Sequence, residues 1–226
     1  MSAAPTLELT YRSDAALLVA YATHLSRGQL LVDLKDRIAT GTALQMRLIA
    51  PAGSLALAGV VARPRSNTNG SGGNGETALT LTSRPEALGE AIDRLAFGFK
   101  GLKALVAASQ AAPRALLIRY LRSIVTCEVI EIDQRRLDEP GAICSVDLSV
   151  IDLDSTGAAG YELYARLREH KETASTPVLA VAQMERDRAR AASLGFDEAL
   201  ANPPAFADLQ TSALRALARP ITVRLG

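Results

Sequence analysis

From residue 102 onward the hydrophobic period switches repeatedly between two and about 3.6, and this alternation constrains the fold more than any other feature of the chain. LKALVAA reads as a strand and PRALLIRYLRSIV as a helix, and EVIEID and VDLSVIDLD read as the next two strands. YELYARLREHK (helix), PVLAVAQ (strand), RDRARAASLG (helix), EALAN (strand) and FADLQTSALRALA (helix) complete the series. Apolar, β-branched strands joined by helices imply a parallel sheet covered on both faces.

The chain up to residue 83 has a different rhythm. LELTYR (7–12), ALLVAYATHL (16–25), GQLLVDL (28–34), TALQMRLIA (42–50) and SLALAGVVARP (54–64) read as short strands. Turn signals at Ser26-Arg27-Gly28, Thr40-Gly41 and Pro51-Ala52-Gly53 separate them, a spacing that favours a small barrel or sandwich. SNTNGSGGNGE (66–76) has the composition of a surface loop, and TALTLT (77–82) resumes the strand pattern after it. RPEALGEAIDRLAF (84–97) places Leu88, Ala91, Ile92 and Leu95 on one helical face and closes this half. Two domains follow, residues 1–100 and 101–226.

Charge and chemistry exclude several classes. The 226 residues carry 25 Lys and Arg against 24 Asp and Glu, so neither a nucleic-acid footprint nor an acidic-membrane surface is expected from bulk electrostatics. Apolar residues make up 48% without any run long enough to span a bilayer, so no membrane insertion is expected. The start, MSAAPTLELTYRSD, lacks the charged and apolar regions of a signal peptide, which points to the cytoplasm. Cys127 and Cys144 read as reduced thiols; with only His24 and His170 beside them, no metal site is expected. GxSxG, GxxxxGK[ST], HExxH and GxGxxG are all absent, and the chain is read as non-enzymatic and without a cofactor.

The stretch VIDLDSTGAAGYEL (150–163) carries the most specific signal. With PVLAVAQ (177–183) and GFDEALANPP (195–204), it makes residues 102–218 resemble the receiver domain of bacterial response regulators. The resemblance implies a flavodoxin-like, CheY-like fold whose five parallel strands run in the order 2-1-3-4-5. It also places Asp152 at the family's phosphoacceptor position. In that family two carboxylates at the end of the first strand hold Mg²⁺, a Thr or Ser ends the fourth strand and a Lys ends the fifth. Here the first pair falls on Ala107 and Ala108 (or Ala108 and Ser109 with a one-residue slip), and the others on Ala182 and Asn202. Methyl groups do not ligate Mg²⁺, and the electrostatic stabilisation that drives phosphoryl transfer is lost with it. Asp152 is therefore read as a vestigial phosphoacceptor in a pseudo-receiver, a strand-end carboxylate capping its own loop. Asp154 could serve as a cap in the same way.

ATHLSRGQLLV (22–32), followed by Thr40-Gly41-Thr42 and the 84–97 helix, makes residues 7–97 similar to the PilZ family. These are all-β, six-stranded barrels with a terminal helix, best known as cyclic di-GMP receptors. The family's nucleotide site needs an Arg-x-x-x-Arg segment and an [Asp/Asn]-x-Ser-x-x-Gly motif, because arginine forks grip phosphate and stack on guanine. Only Arg12 and Arg27 precede residue 30, and they are not four apart; His24 stands where Asp or Asn is expected, and Ser26 and Gly28 remain. The motif is degenerate, and standard cyclic di-GMP binding is not expected.

Together the two resemblances imply a bacterial signalling adaptor that binds signalling or motility proteins, in motility, polarity or surface-behaviour control. Its partner-binding surface would include the Arg-rich helix in ERDRARAA (185–192), and its last helices could form a homodimer. The alternatives are a cyclic di-GMP receptor with a non-standard site using Arg12 and Arg27, or a phosphorylatable response regulator.

Overall fold

A computed structural model describes residues 5–32, 34, 38–62, 77–82, 86–132 and 146–226. The expected 66–76 loop and Cys144 lie outside the described residues. In chain order the first elements are β1 (Thr6–Thr10), α1 (Asp14–Thr23), β2 (Gln29–Val32), β3 (Ala43–Ala50), β4 (Gly53–Val61), β5 (Thr77–Leu81) and α2 (Glu86–Gly98). Then come β6 (Leu102–Ala107), α3 (Ala111–Ile124), β7 (Cys127–Ile132), β8 (Leu148–Asp152), α4 (Leu153–Thr156) and α5 (Ala158–Glu169). The chain ends with β9 (Val178–Val181), α6 (Glu185–Leu194), β10 (Glu198–Leu200), α7 (Phe206–Ala218) and β11 (Thr222–Leu225).

The chain divides into two compact units. One runs to Phe99 and takes back Ala218–Gly226; the other is Lys100–Leu217. The last strand thus belongs with the first unit and not, as expected, with residues 101–217. β11 pairs antiparallel with β1, setting Leu225 opposite Leu7 and Val223 opposite Leu9.

Among the described residues the first unit has a six-stranded sheet, in the order β11-β1-β3-β4-β5-β2; five strands fall on expected segments and the sixth is β11, and the unit is not a purely all-β barrel. β1 runs parallel to β3 within an otherwise antiparallel sheet. The segment expected as a strand, ALLVAYATHL, is mostly α1. Ser13 caps it, its side chain accepting from the Ala16 amide at 3.1 Å. Asp14 in the first turn ties the helix to the β3–β4 hairpin by accepting from Ala52 N at 2.9 Å. Ala16, Leu17, Val19 and Ala20 are buried on one face, and Ala15, Leu18, Tyr21 and Ala22 on the other are apolar as well, so the period of the run carries no helix signature.

In the second unit all four strand pairs are parallel, in the order β10-β9-β8-β6-β7. Counted along the chain this is 2-1-3-4-5, the flavodoxin-like arrangement that the receiver resemblance implies, built on the parallel sheet expected from the alternating period. β8 and β9 are buried along their whole length, as a central strand covered on both faces must be. Leu105, Ala107, Ile151, Leu163, Leu167 and Phe196 share the core between the sheet and its helices. Gly160 lets α5 approach β8 closely, because a Cβ there would come within 3.0 Å of Ile151 and Leu153. Arg168 on α5 fixes the start of β9, donating to Thr176 O at 2.6 Å and pairing with Asp197 at 3.1 Å.

Candidate functional site

Open parallel sheets bind ligands outside the carboxyl ends of their strands, where the strand order reverses. In the second unit that point lies between β6 and β8, and Asp152 is the last residue of β8. It also caps α4. Its Oδ1 accepts from the Asp154 amide at 3.2 Å, and its own carbonyl accepts from the Thr156 hydroxyl at 2.6 Å. The expected cap is thus present in the geometry.

Asn202, just past β10, reaches across to the same carboxylate. Its side-chain amide donates to Asp152 Oδ1 at 3.0 Å and to Asp154 Oδ2 at 2.7 Å. Both hydrogens of that NH₂ are therefore in use. Asp154 in turn accepts from the Gln183 amide, at 2.8 and 3.1 Å, which fixes the loop after β9. One asparagine and one aspartate tie together the ends of β8, β9 and β10. Ser109 N, in the loop after β6, donates to Ser155 Oγ at 3.0 Å and adds the fourth strand end.

The remaining positions are hydrocarbon. Ala107, Ala108 and Ala182 are fully buried. Ala107 points into the core shared with Leu163 and Leu167, whereas Ala108 and Ser109 follow the strand into the loop beside Asp152. Ala182 offers a methyl, and its carbonyl accepts from Arg188 at 2.8 Å.

The Mg²⁺ that the receiver resemblance implies does not fit this donor set. Mg²⁺ needs oxygen ligands in near-octahedral array. Asp152 Oδ1 and Asp154 Oδ2 instead face amide hydrogens of Asn202, and two of the resemblance's metal-site positions are methyl groups. Among the described residues no group of three or more His, Cys, Asp and Glu side chains could hold a metal.

Asp152 is almost entirely buried, and its Oδ2 makes no hydrogen bond among the described residues. Burial raises its pKa above the ordinary carboxylate value; the Ser155 hydroxyl and amide partly offset this, and the Asp154 charge raises it further. A carboxyl whose folded pKa is raised holds its proton more tightly in the folded state. Its contribution to stability is therefore greatest below the unfolded value of about 4 and is lost as pH climbs through the folded one. Asp152→Asn keeps the Oδ1 acceptor and removes the charge beside Asp154. It is expected to stabilise the protein by about 1 kcal/mol at neutral pH and by less in acid. Urea midpoints across that range check this, and a destabilised Asn variant at neutral pH would contradict the assignment.

The first unit does not assemble the nucleotide motif. Arg12 lies in the bend before α1 and Arg27 in the 3₁₀ turn Leu25–Arg27 beyond it. The ten residues of α1 set these points about 15 Å apart along the helix axis. His24 ends α1 through its backbone, and the Ser26 hydroxyl donates to Ala22 O at 3.4 Å. Gly28, at φ 68°, closes the turn. These residues form the exit of α1 and the turn that leads into β2 at Gln29.

Three participants went unread in the sequence: Ser155, Gln183 and the bridging role of Asn202. Each lies within three residues after a parallel strand, and position after a strand end is the signal that could have found them.

No family model and no curated protein sequence matches the chain. Among solved structures, it is similar to a putative response regulator from Chloroflexus aurantiacus J-10-fl, with 22% identity, TM-score 0.45, and 53% of this chain and 100% of that one covered. It is similar also to the receiver domain of sensor histidine kinase PA1611 from Pseudomonas aeruginosa PAO1, solved with a magnesium ion in its active-site cleft (19%, TM-score 0.44, 52% and 98% covered). A third likeness is to the chemotaxis response regulator CheY4 of Vibrio cholerae (17%, TM-score 0.43, 51% and 98% covered). No helix among the described residues is long and apolar enough to cross a membrane.

Proposed function

We propose that the second unit is a receiver-type module that takes no phosphoryl group, and that the chain is a non-enzymatic adaptor recognising partner proteins by its surface. The observation that carries this reading is the Asn202 bridge. The amide that spans Asp152 and Asp154 occupies one oxygen of each carboxylate, so the pair does not present the open set of oxygens that a metal would need. A receiver that switches on phosphorylation needs those oxygens free and a fixed positive charge beside them. An asparagine supplies neither.

The first unit is read as a PilZ-like companion without the standard cyclic di-GMP site, and its support is the separation of Arg12 from Arg27 by α1. Bacterial signalling in the cytoplasm, in motility, polarity or surface behaviour, is the setting that the two resemblances suggest for such a pair.

Incubation with acetyl phosphate and Mg²⁺, followed by intact-mass measurement, tests the central point. No phosphoryl adduct is expected. An adduct that forms in the wild type and disappears in Asp152→Asn would return the protein to the phosphorylatable response regulators.

A further inference from the structure

α3, AAPRALLIRYLRSI, carries three arginines and no acidic residue. At about 100° per residue, Ala111, Ala115 and Ile118 fall along the middle of one face, with Arg114 on one flank, Arg119 on the other and Arg122 between them one turn further on. The structure hollows this face into a trough of about 620 Å³ lined by these six residues, bounded on the β7 side by Glu131. The alanine floor lets another backbone come close. Arg114 is committed, donating to Ala108 O at 3.0 Å and pairing with Glu131 at 3.3 Å. Arg119 and Arg122 are exposed and make no ion pair among the described residues.

We infer that this trough is a docking surface for an acidic amphipathic helix of a partner protein. The inference rests on the reading of the chain as an adaptor and names the surface that would do the docking. Charge selects the occupant. Pairing α3 with its own copy about a two-fold axis would press Arg119 and Arg122 against arginines, so a second copy of this chain is disfavoured here. A nucleic acid is disfavoured too, because Glu131 lines the trough, Glu128 lies on the same strand, and only two of its arginines are without an acidic partner among the described residues. A helix with small or apolar residues over Ala111 and Ala115, and carboxylates facing Arg119 and Arg122, meets both features of the trough.

The test uses the full chain and a synthetic amphipathic peptide of about 20 residues, long enough to be helical in water. It has leucine and alanine on one face and glutamate on the flanks. A peptide with lysine in place of glutamate and a single-stranded DNA serve as the other two probes. Binding followed by fluorescence anisotropy is expected for the glutamate peptide alone and should weaken as salt rises. The double variant R119E/R122E is expected to lose about tenfold or more in affinity, and Ala115→Leu, which fills the floor, to weaken binding as well. Both changes are on exposed positions, and unchanged urea midpoints verify that the fold survives. Equal binding of the lysine peptide, tighter binding of DNA, or undiminished binding by R119E/R122E would overturn the inference. Phosphorylation of Asp152 would instead sink the adaptor reading and leave these binding results standing, so the two failures are distinguishable.

Discussion

Deleting residues 219–226 is expected to unfold the first unit while the parallel-sheet unit stays intact. β11 forms the edge of the six-stranded sheet and covers β1 along its length. Beyond the ladder itself, Thr6 N donates to Gly226 O at 3.2 Å, Gly226 N to Thr6 O at 2.9 Å, and Ile221 N to Thr10 O at 2.8 Å. Each such bond contributes a net of about 0.5–1.5 kcal/mol. Val223 also packs beside Leu9, which together with Leu7 is fully buried in the core of this unit. The sum is several kcal/mol, a large share of the total stability of about 5–15 kcal/mol that a domain has to lose. Hydrogen exchange reads the outcome by segment. The amides of Thr6–Thr10 should exchange fast in the shortened chain, while those of β8 and β9 keep their protection. A synthetic RPITVRLG peptide should restore part of the lost protection, since it carries the complete strand. Undiminished protection of β1 in the shortened chain would show that the C-terminal strand is dispensable.

The contrast between the two units explains what could be read in advance. Among the described residues, the five strands and the longer helices of the parallel unit announce themselves locally. VLAV, LSVID and LKALVA are short apolar runs, and each is followed by a helical period. β11 has no such signal. It is four residues long, follows a helix after only a short connection, and finds its partner at the opposite end of the chain. Pairing at that separation is a tertiary choice that no local window contains. α1 failed for another reason. The less buried face of α1, with Ala15, Leu18, Tyr21 and Ala22, is as apolar as the buried one, so no polar face gave the helix its period, although Ser13 and Asp14 stood at its start as a cap and an acidic first turn.

The site was legible in its subtractions and not in its replacement. The sequence shows alanine where metal-binding carboxylates would stand in a receiver, and Asp152 at a strand end. What it does not show is that Asn202 is long enough, and so placed by the turn after β10, to span two carboxylates 50 and 48 residues away. Two acidic side chains so close would repel each other unless something with two donors came between them. The asparagine side-chain amide is the smallest group that meets this need without adding charge. Asn202, where the receiver resemblance places a lysine, therefore quiets the two carboxylates without adding charge.

If hydrocarbon closes the end of β6, an acid placed there should damage the protein. Ala107→Asp is expected to destabilise the second unit by about 3–5 kcal/mol at neutral pH, because it places a carboxylate without a partner in a closed apolar core. Ala107 is fully buried, and the side chains around it include Leu105, Ile151, Leu163 and Leu167. The new group's folded pKa would lie well above its unfolded value, since burial favours the neutral acid. The penalty should therefore shrink as pH falls toward about 4, where the unfolded chain also begins to hold the proton. Mg²⁺ should give no rescue, as a carboxylate at this position faces the core and not the Asp152 loop. Ala108→Asp is the informative companion. Its backbone carbonyl already accepts from the Arg114 guanidinium at 3.0 Å, so a carboxylate there has a cation within reach and should cost less. Urea unfolding of both variants at neutral and acid pH, with and without Mg²⁺, separates the cases. An Ala107→Asp protein as stable as the wild type at neutral pH, or one stabilised by Mg²⁺, would mean that a polar, metal-accepting pocket survives at the end of β6.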